Sequence, residues 1–146
     1  MNLNNKGFTL VEILAVVVIL GVLMAFMYPN VTRLINKNKA ESLEQLKLLI
    51  ESAAKIYISD YRYNISVNGN NITKINNRSI TNNKVLVSYL IEEGALKVTD
   101  KGNIHNPQNT NDCLNTDSSY IEVKYNSTLK DFEYGNISLT WGETCK

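Results

Sequence analysis

Hydrophobic residues are concentrated in the first third of the chain. The run from Phe8 to Tyr28 reads FTLVEILAVVVILGVLMAFMY, and Glu12 is its only charged residue. A helix needs about 20 residues to cross a bilayer, so this run is long enough. Because such a helix has no polar face, it does not suit the surface of a globular domain. We expect it to lie in a membrane or in the interior of an assembly.

A second helical pattern follows the apolar run. Its apolar residues recur at spacings of three and four, which is typical of an amphipathic helix. They are Leu43, Leu46, Ile50, Ala53, Ala54, Tyr57 and Tyr61. Because nothing between Pro29 and Asp60 requires a break, we predict one long helix whose second half packs on a core. Pro29 lacks an amide hydrogen, and we expect it to kink this helix.

The Asn-rich stretch after the long helix predicts a hairpin and then a short helix. Apolar residues alternate over 61–67 and lead into Asn68-Gly69, a dipeptide typical of tight hairpin turns. The chain then returns through Ile72 and Ile75. Residues 83–94 predict a short helix with an asparagine cap at its start and a glycine at its end.

The C-terminal part of the chain predicts two strands. Residues 120–125 and 132–139 alternate apolar and polar positions on either side of a turn at 126–131, which indicates an antiparallel hairpin. Its apolar face suits packing against the amphipathic half of the long helix. The predicted fold class is therefore α+β, with a long N-terminal helix packed on a small antiparallel sheet.

Composition and charge exclude several classes of function. Lys and Arg number 15 and Asp and Glu 14, so the net charge is +1 and nucleic-acid binding is not indicated. The single histidine, His105, has no nucleophile-elbow or Cys-His signature around it, and we interpret it as a surface residue. One histidine and two cysteines 32 positions apart do not match zinc-ligand spacing. We expect no enzyme, no catalytic residue, no metal site and no cofactor.

Glu12 is the residue of the apolar run that most needs a partner. An acidic residue at the centre of a membrane helix costs about 2.5–3.5 kcal/mol, and less near the end. One interpretation is that Glu12 reaches the headgroups or is protonated. The other requires a cation at the same depth, which an amino group generated at Phe8 would supply. A secretory signal peptide is a weaker alternative, because no A-x-A-like site follows the run.

Residues 6–12 read KGFTLVE and are followed by the apolar run and Pro29. This combination resembles the N-terminus of type IV prepilins and the related pseudopilins. The resemblance implies that prepilin peptidase, a membrane aspartyl peptidase, cuts between Gly7 and Phe8 on the cytoplasmic side and methylates the Phe8 amine. It also implies subunit assembly through Glu12, whose carboxylate pairs with the Phe8 ammonium of a neighbouring subunit.

The resemblance further implies a division of the chain and a set of partners. Residues 1–7 are the leader peptide, 8–35 the transmembrane and assembly helix, and 36–146 the exported globular domain. The partners are prepilin peptidase, membrane lipid before assembly, an inner-membrane assembly platform, and identical or related subunits in a helical homopolymer. The chain is then a single-pass membrane protein before assembly and part of a cell-surface filament afterwards.

The basic residues around the apolar run predict a different orientation. Lys6 and the Met1 amine precede the run, whereas Arg33, Lys37 and Lys39 follow it. The positive-inside rule taken alone therefore places the C-terminal domain in the cytoplasm. We give precedence to the family resemblance and to the cysteines.

The two cysteines are Cys113 and Cys145, which bracket the predicted C-terminal hairpin. In a chain exported from the reducing cytosol, two cysteines most simply form one disulfide. In type IV pilins such a bond often pins the C-terminal loop. Buried thiols are the alternative.

The resemblance leaves more than one function open. The first is a structural subunit of a type IV pilus that serves adhesion or motility. The second is a pseudopilin or minor pilin of a type II secretion or competence DNA-uptake apparatus. A third, of another class, is a membrane-anchored binding protein that does not polymerise, although such a protein has no need of Gly7, Phe8 and Glu12 at this spacing.

Overall fold

The computed structural model describes residues 9–98, 103–142 and 145, and it leaves the side chains of 26–30 undescribed. The elements in chain order are α1 (Leu10–Asp60), a 3-10 helix (Arg62–Asn64), β1 (Ile65–Asn68), β2 (Asn71–Ile75), β3 (Arg78–Ser79), β4 (Lys84–Leu86), α2 (Val87–Glu92), β5 (Tyr120–Asn126) and β6 (Asp131–Ser138). The strands form two three-stranded antiparallel sheets, in the orders β1-β2-β3 and β4-β5-β6. This architecture confirms the predicted α+β class, with two small sheets where one was expected.

The chain divides into two units, with the boundary between Lys39 and Ala40. In the first unit, the large apolar side chains from Leu10 to Met24 are 49–83% exposed. Among the residues that the structure describes, no helix is long and apolar enough to cross a membrane. Because a single helix has no second surface on which to bury these side chains, they lack cover among the described residues of this unit.

In the second unit, α1 buries one face in a hydrophobic core. The buried positions are Ile50, Ala53, Ala54, Tyr57 and Ile58, whose spacing of three and four confirms the predicted amphipathic face. The strands and α2 supply the other side of the core through Ile72, Ile75, Val85, Leu90, Ile121 and Val123. Full burial of a side chain of this size stabilises a protein by about 1.5–3 kcal/mol. This core holds the second half of α1 against the two sheets.

Both predicted hairpins are confirmed. In the first, β1 and β2 pair antiparallel, with Asn68 opposite Asn71 and Gly69 in the turn at a φ of 60°. Glycine suits this position because a left-handed backbone conformation costs it nothing. In the second, β5 and β6 pair antiparallel, with Asn126 opposite Asp131 at the end next to the turn.

The prediction of a helix over 83–94 was wrong at its N-terminal end. Residues 84–86 form β4 instead, and α2 begins at Val87 without a side-chain cap. The reason is tertiary, because Lys84 pairs with Glu122 of β5 and the next residue, Val85, is fully buried opposite Ile121. The predicted C-terminal end is confirmed, since Gly94 has a φ of 74° and donates its N–H to a carbonyl of α2.

Asn83 joins the two sheets rather than capping a helix. Its side chain is buried, its Oδ1 accepts a hydrogen bond from the Ile72 N–H at 2.8 Å, and its Nδ2 donates to Asn71 Oδ1 at 2.7 Å. Its carbonyl accepts the Val123 N–H at 2.8 Å. One residue thus satisfies backbone groups of β2 and β5, which belong to different sheets.

We predict that Asn83→Ala lowers the free energy of unfolding by about 1–3 kcal/mol more than Asn82→Ala, because it leaves the buried Ile72 N–H without an acceptor. Asn82 is the matched control, since it is exposed and has a φ of 55° against 61° for Asn83. Both variants lose the tolerance of asparagine for this conformation. Urea unfolding of the full chain in detergent, followed by circular dichroism, measures the difference. Equal losses in the two variants contradict the assignment.

Candidate functional site

The residues predicted to act at the N-terminus are Gly7, Phe8, Glu12 and Pro29. Gly7 and Phe8 lie outside the described residues. Pro29 lies within α1, and its side chain is among those left undescribed, so its predicted kink stays a prediction. Of these four residues, Glu12 is the one whose side-chain contacts the structure gives.

Glu12 and Thr9 form a reciprocal capping box at the start of α1. The Glu12 N–H donates to Thr9 Oγ1 at 3.3 Å, while Glu12 Oε2 accepts from the Thr9 N–H at 2.9 Å and from its hydroxyl at 3.0 Å. These bonds satisfy backbone donors that a helix start otherwise leaves without partners. This capping box was not predicted, although the spacing Thr-x-x-Glu is its usual signal in a sequence.

The capping box leaves part of the Glu12 carboxylate available. The four hydrogen bonds of this pair involve Oε2 or the Glu12 N–H, which also donates to the Thr9 carbonyl at 3.1 Å, and Oε1 has no partner among the residues that the structure describes. A carboxylate accepts several hydrogen bonds at its two oxygens. Glu12 can therefore keep its bonds to Thr9 and accept a cation at Oε1.

The acidic pair Glu92 and Glu93 at the end of α2 has structural partners. Arg78 lies 2.6 Å from Glu92 and 3.2 Å from Glu93, and the Tyr61 hydroxyl donates to Glu93 at 2.5 Å. These two partners, the hydroxyl first, lower the pKa of the Glu93 carboxyl below its ordinary value. Arg78 also lies over the Tyr89 ring, 4.7 Å from its centroid. The pair thus ties β3, α2 and the end of α1 together.

Cys113 and Cys145 are joined by a disulfide bond, with their Cα atoms 5.0 Å apart. Around it, short backbone contacts join three loop segments. The Gly142 N–H donates to the Cys113 carbonyl at 2.7 Å, and the Leu114 N–H donates to the Ile104 carbonyl at 2.8 Å. The bond therefore closes the β5–β6 hairpin onto the loop that precedes it.

His105 is exposed, as expected, but it lies beside this disulfide. Its Nδ1 is 3.3 Å from Cys145 Sγ, 3.8 Å from Cys113 Sγ and 3.1 Å from the Thr110 carbonyl oxygen. The three residues place one ligand atom each within 4.8 Å of one another. These residues were not predicted as zinc ligands, because one histidine and two cysteines 32 positions apart do not match the usual spacing. Spacing along the chain does not show that the two loops meet.

Comparison with known proteins bears on the N-terminal segment. Residues 2–28 match the family model of the prokaryotic N-terminal methylation motif. This motif is typical of type IV pilins and pseudopilins, which are structural rather than catalytic proteins. It supports a pilin-like or pseudopilin-like substrate of prepilin peptidase, without distinguishing the two. No curated protein and no solved structure matches the chain.

We predict that peptide mapping without reduction recovers Cys113 and Cys145 in one linked pair. Cys145→Ser should lower the free energy of unfolding by about 3–4 kcal/mol, because the disulfide reduces the conformational entropy of the unfolded chain. Urea unfolding of the full chain in detergent measures this loss. The control is the same comparison under reducing conditions, where the two proteins should differ little. Two alkylated thiols in the native protein contradict the prediction.

Proposed function

We propose that this chain is a structural subunit of a type IV pilus, a surface filament that serves adhesion or motility. The observation that carries the proposal is the methylation motif over residues 2–28. Prepilin peptidase cuts between Gly7 and Phe8 and methylates the new Phe8 amine. Residues 8–35 then hold the subunit in the membrane, and 36–146 form the domain outside the cytoplasm.

The exposed apolar side chains of the first unit support polymerisation. Twelve large apolar residues between Leu10 and Met24 are at least 49% exposed. A continuous apolar surface of this kind is unfavourable in water and needs a cover. Lipid supplies the cover before assembly, and the same helices of neighbouring subunits supply it afterwards. Both environments exclude water, which a helix tolerates because its backbone hydrogen bonds are internal.

Glu12 sets the register between neighbouring subunits in this proposal. A single charge in an apolar interior has a high free-energy cost, and two opposite charges that pair there reduce this cost for each other. The capping box holds Oε2 towards Thr9 and leaves Oε1 for the methylated Phe8 ammonium of the next subunit. A subunit inserted at another height leaves both charges without a partner, which disfavours that position.

The partners in this proposal are those that the resemblance to type IV prepilins implies. They are prepilin peptidase, membrane lipid, an inner-membrane assembly platform and further copies of the chain. The same motif supports a pseudopilin or minor pilin. Identification of the main subunit in sheared surface filaments distinguishes that role from the proposed one. If this chain is their main subunit, it is a major pilin.

We predict that the mature protein begins at Phe8, as its N-methyl form. The intact mass of protein extracted from filaments measures both changes. A bulky or charged residue in place of Gly7 should block cleavage, while Gly7→Ala, a much smaller change, is the matched control and should be cut in part. Assembled subunits that retain residues 1–7 contradict this prediction.

We predict that Glu12→Val abolishes filaments while the subunit persists in the membrane fraction. Valine removes a charge from the apolar segment, so anchoring is unchanged or improved, but the neighbouring amine loses its partner. Glu12→Gln keeps a hydrogen-bond acceptor without the charge and should assemble poorly. The yield of sheared filaments, compared with the amount of subunit in the membrane fraction, measures both effects.

Thr9→Ser is the matched control for the Glu12 variants, because serine also supplies the capping hydroxyl. It should give the filament yield of the unmodified protein. Normal filaments from both Glu12 variants show that Glu12 is only a tolerated polar residue, and they overturn the register mechanism.

A further inference from the structure

An open groove in the second unit has no part in the proposed function. It encloses about 250 Å³, and its lining includes the aromatic and basic side chains of Arg62, Tyr63, Tyr125, Lys130 and Phe132. We propose that this groove, called the Tyr63 groove, binds one acidic sugar ring, a hexuronate or a related carboxylated pyranose. The carboxylate lies at Lys130, and one ring face lies against Tyr63. The proposal concerns the second unit alone and does not depend on filament assembly.

Half of the exposed large apolar side chains in the described part of the second unit belong to this region. Three of the six lie on α1, and the other three are Tyr63, Val67 and Leu129. Tyr63 and Val67 line the groove, and Leu129 directly precedes the lining residue Lys130. Exposure of apolar surface to water is unfavourable, so a ligand that covers part of this surface gains free energy.

Tyr63 presents a flat aromatic surface to a ligand. It is 98% exposed, whereas Tyr125 and Phe132 pack against each other with their ring centroids 5.3 Å apart. The face of an aromatic ring carries partial negative charge and attracts groups with partial positive charge. The C–H groups on the face of a pyranose are such groups, and its hydroxyls lie at the edge of the ring. A sugar therefore suits this mixed lining better than a lipid tail, which offers no polar group to the basic side chains.

Arg62 is held in place as part of the groove wall. Its Nη1 lies 3.3 Å from Oδ1 of Asp131, and its Nη2 donates to the Lys130 carbonyl at 3.2 Å. Its guanidinium also lies over the Phe132 ring, 5.8 Å from the centroid. Because Asp131 balances the charge of Arg62, Lys130 is the cation of the groove that an anionic ligand can pair with.

Lys130 supplies the charge that a carboxylate needs. Its side chain is exposed, and no carboxylate among the described residues forms a salt bridge with its ammonium. Its φ is 54°, a left-handed conformation that glycine or asparagine adopts at lower cost. Backbone conformation therefore gives no reason for a lysine at this position. A charge-assisted hydrogen bond from the ammonium to a bound carboxylate gives one.

The charge of the groove matches a ligand with one carboxylate on one ring. A single-stranded nucleic acid also combines flat rings with negative charge, but it carries a phosphate at every nucleotide and binds along a groove of many positive charges. Arg62, Lys130 and Asp131 together carry only one positive charge. The volume also suits one ring, since sites for drug-sized ligands enclose about 300–1,000 Å³. Charge and volume thus favour a single acidic sugar over a polyanion.

Saturation-transfer NMR of the full chain, in a detergent without a sugar headgroup, tests the site with glucuronate as the probe. Glucuronate should receive saturation from the protein, and glucose, which lacks the carboxylate, should bind at least about threefold more weakly. Lys130→Gln should weaken glucuronate binding by about threefold to tenfold, because an exposed charge pair contributes less than a buried one. Lys124→Gln is the matched control, since it removes an exposed lysine of β5 that does not line the groove, and it should bind like the unmodified protein.

Variants of Tyr63 separate the ring contact from the charge. Tyr63→Ala should remove saturation transfer to glucuronate, whereas Tyr63→Phe keeps the ring and should bind like the unmodified protein. Neither change should alter the urea midpoint, because this side chain is exposed. Glucuronate without saturation transfer overturns the proposal, and so does unchanged binding by Lys130→Gln or by Tyr63→Ala. Tighter binding of a single-stranded oligothymidine or an acidic peptide than of glucuronate also overturns it.

Discussion

A helix that is apolar on every side has to be covered, and this constraint dominates the molecule. From Leu10 to Met24 the large side chains are exposed, while only the face from Ile50 to Ile58 of the same helix is buried by the rest of its unit. The hydrophobic effect acts on both stretches with the same strength per unit of area. In the second unit the chain buries one face of α1, whereas the described residues of the first unit supply no cover for its apolar side chains. In the proposed filament, neighbouring subunits supply that cover.

In the proposed filament, one carboxylate within this apolar surface, that of Glu12, sets the specificity of subunit packing. Apolar contacts alone do not fix how far one helix slides past another, because neighbouring positions differ little in the area they bury. Glu12 changes this, since a charge in an apolar interior has a large cost unless it meets its partner. Its capping box with Thr9 adds a local role, because it starts the helix and orients the carboxylate. Helix initiation and, in the proposed filament, register thus depend on the same side chain.

Much of the fold could be predicted, because local patterns encode it. The amphipathic face of α1 follows from a spacing of three and four, and the turn at Gly69 follows from the conformational freedom of glycine. The start of α2 could not be predicted in this way. Residues 84–86 have a sequence that also suits a helix, and their pairing with β5, about 35 positions later in the chain, decides for a strand. Propensities are small compared with the burial of Val85 in that pairing.

The sequence by itself determined the apolar run, the KGFTLVE motif with its implied cleavage and methylation, and the single acidic residue within that run. Each of these depends on neighbouring residues, so chain order is enough to find it. Only the tertiary structure decided that Asn83 satisfies both sheets, that Arg78 holds the acidic pair at the end of α2, and that His105 lies against the disulfide. These contacts join residues from 11 to 40 positions apart. Nothing in the local sequence fixes them, because they depend on the path that the packed core imposes on the loops.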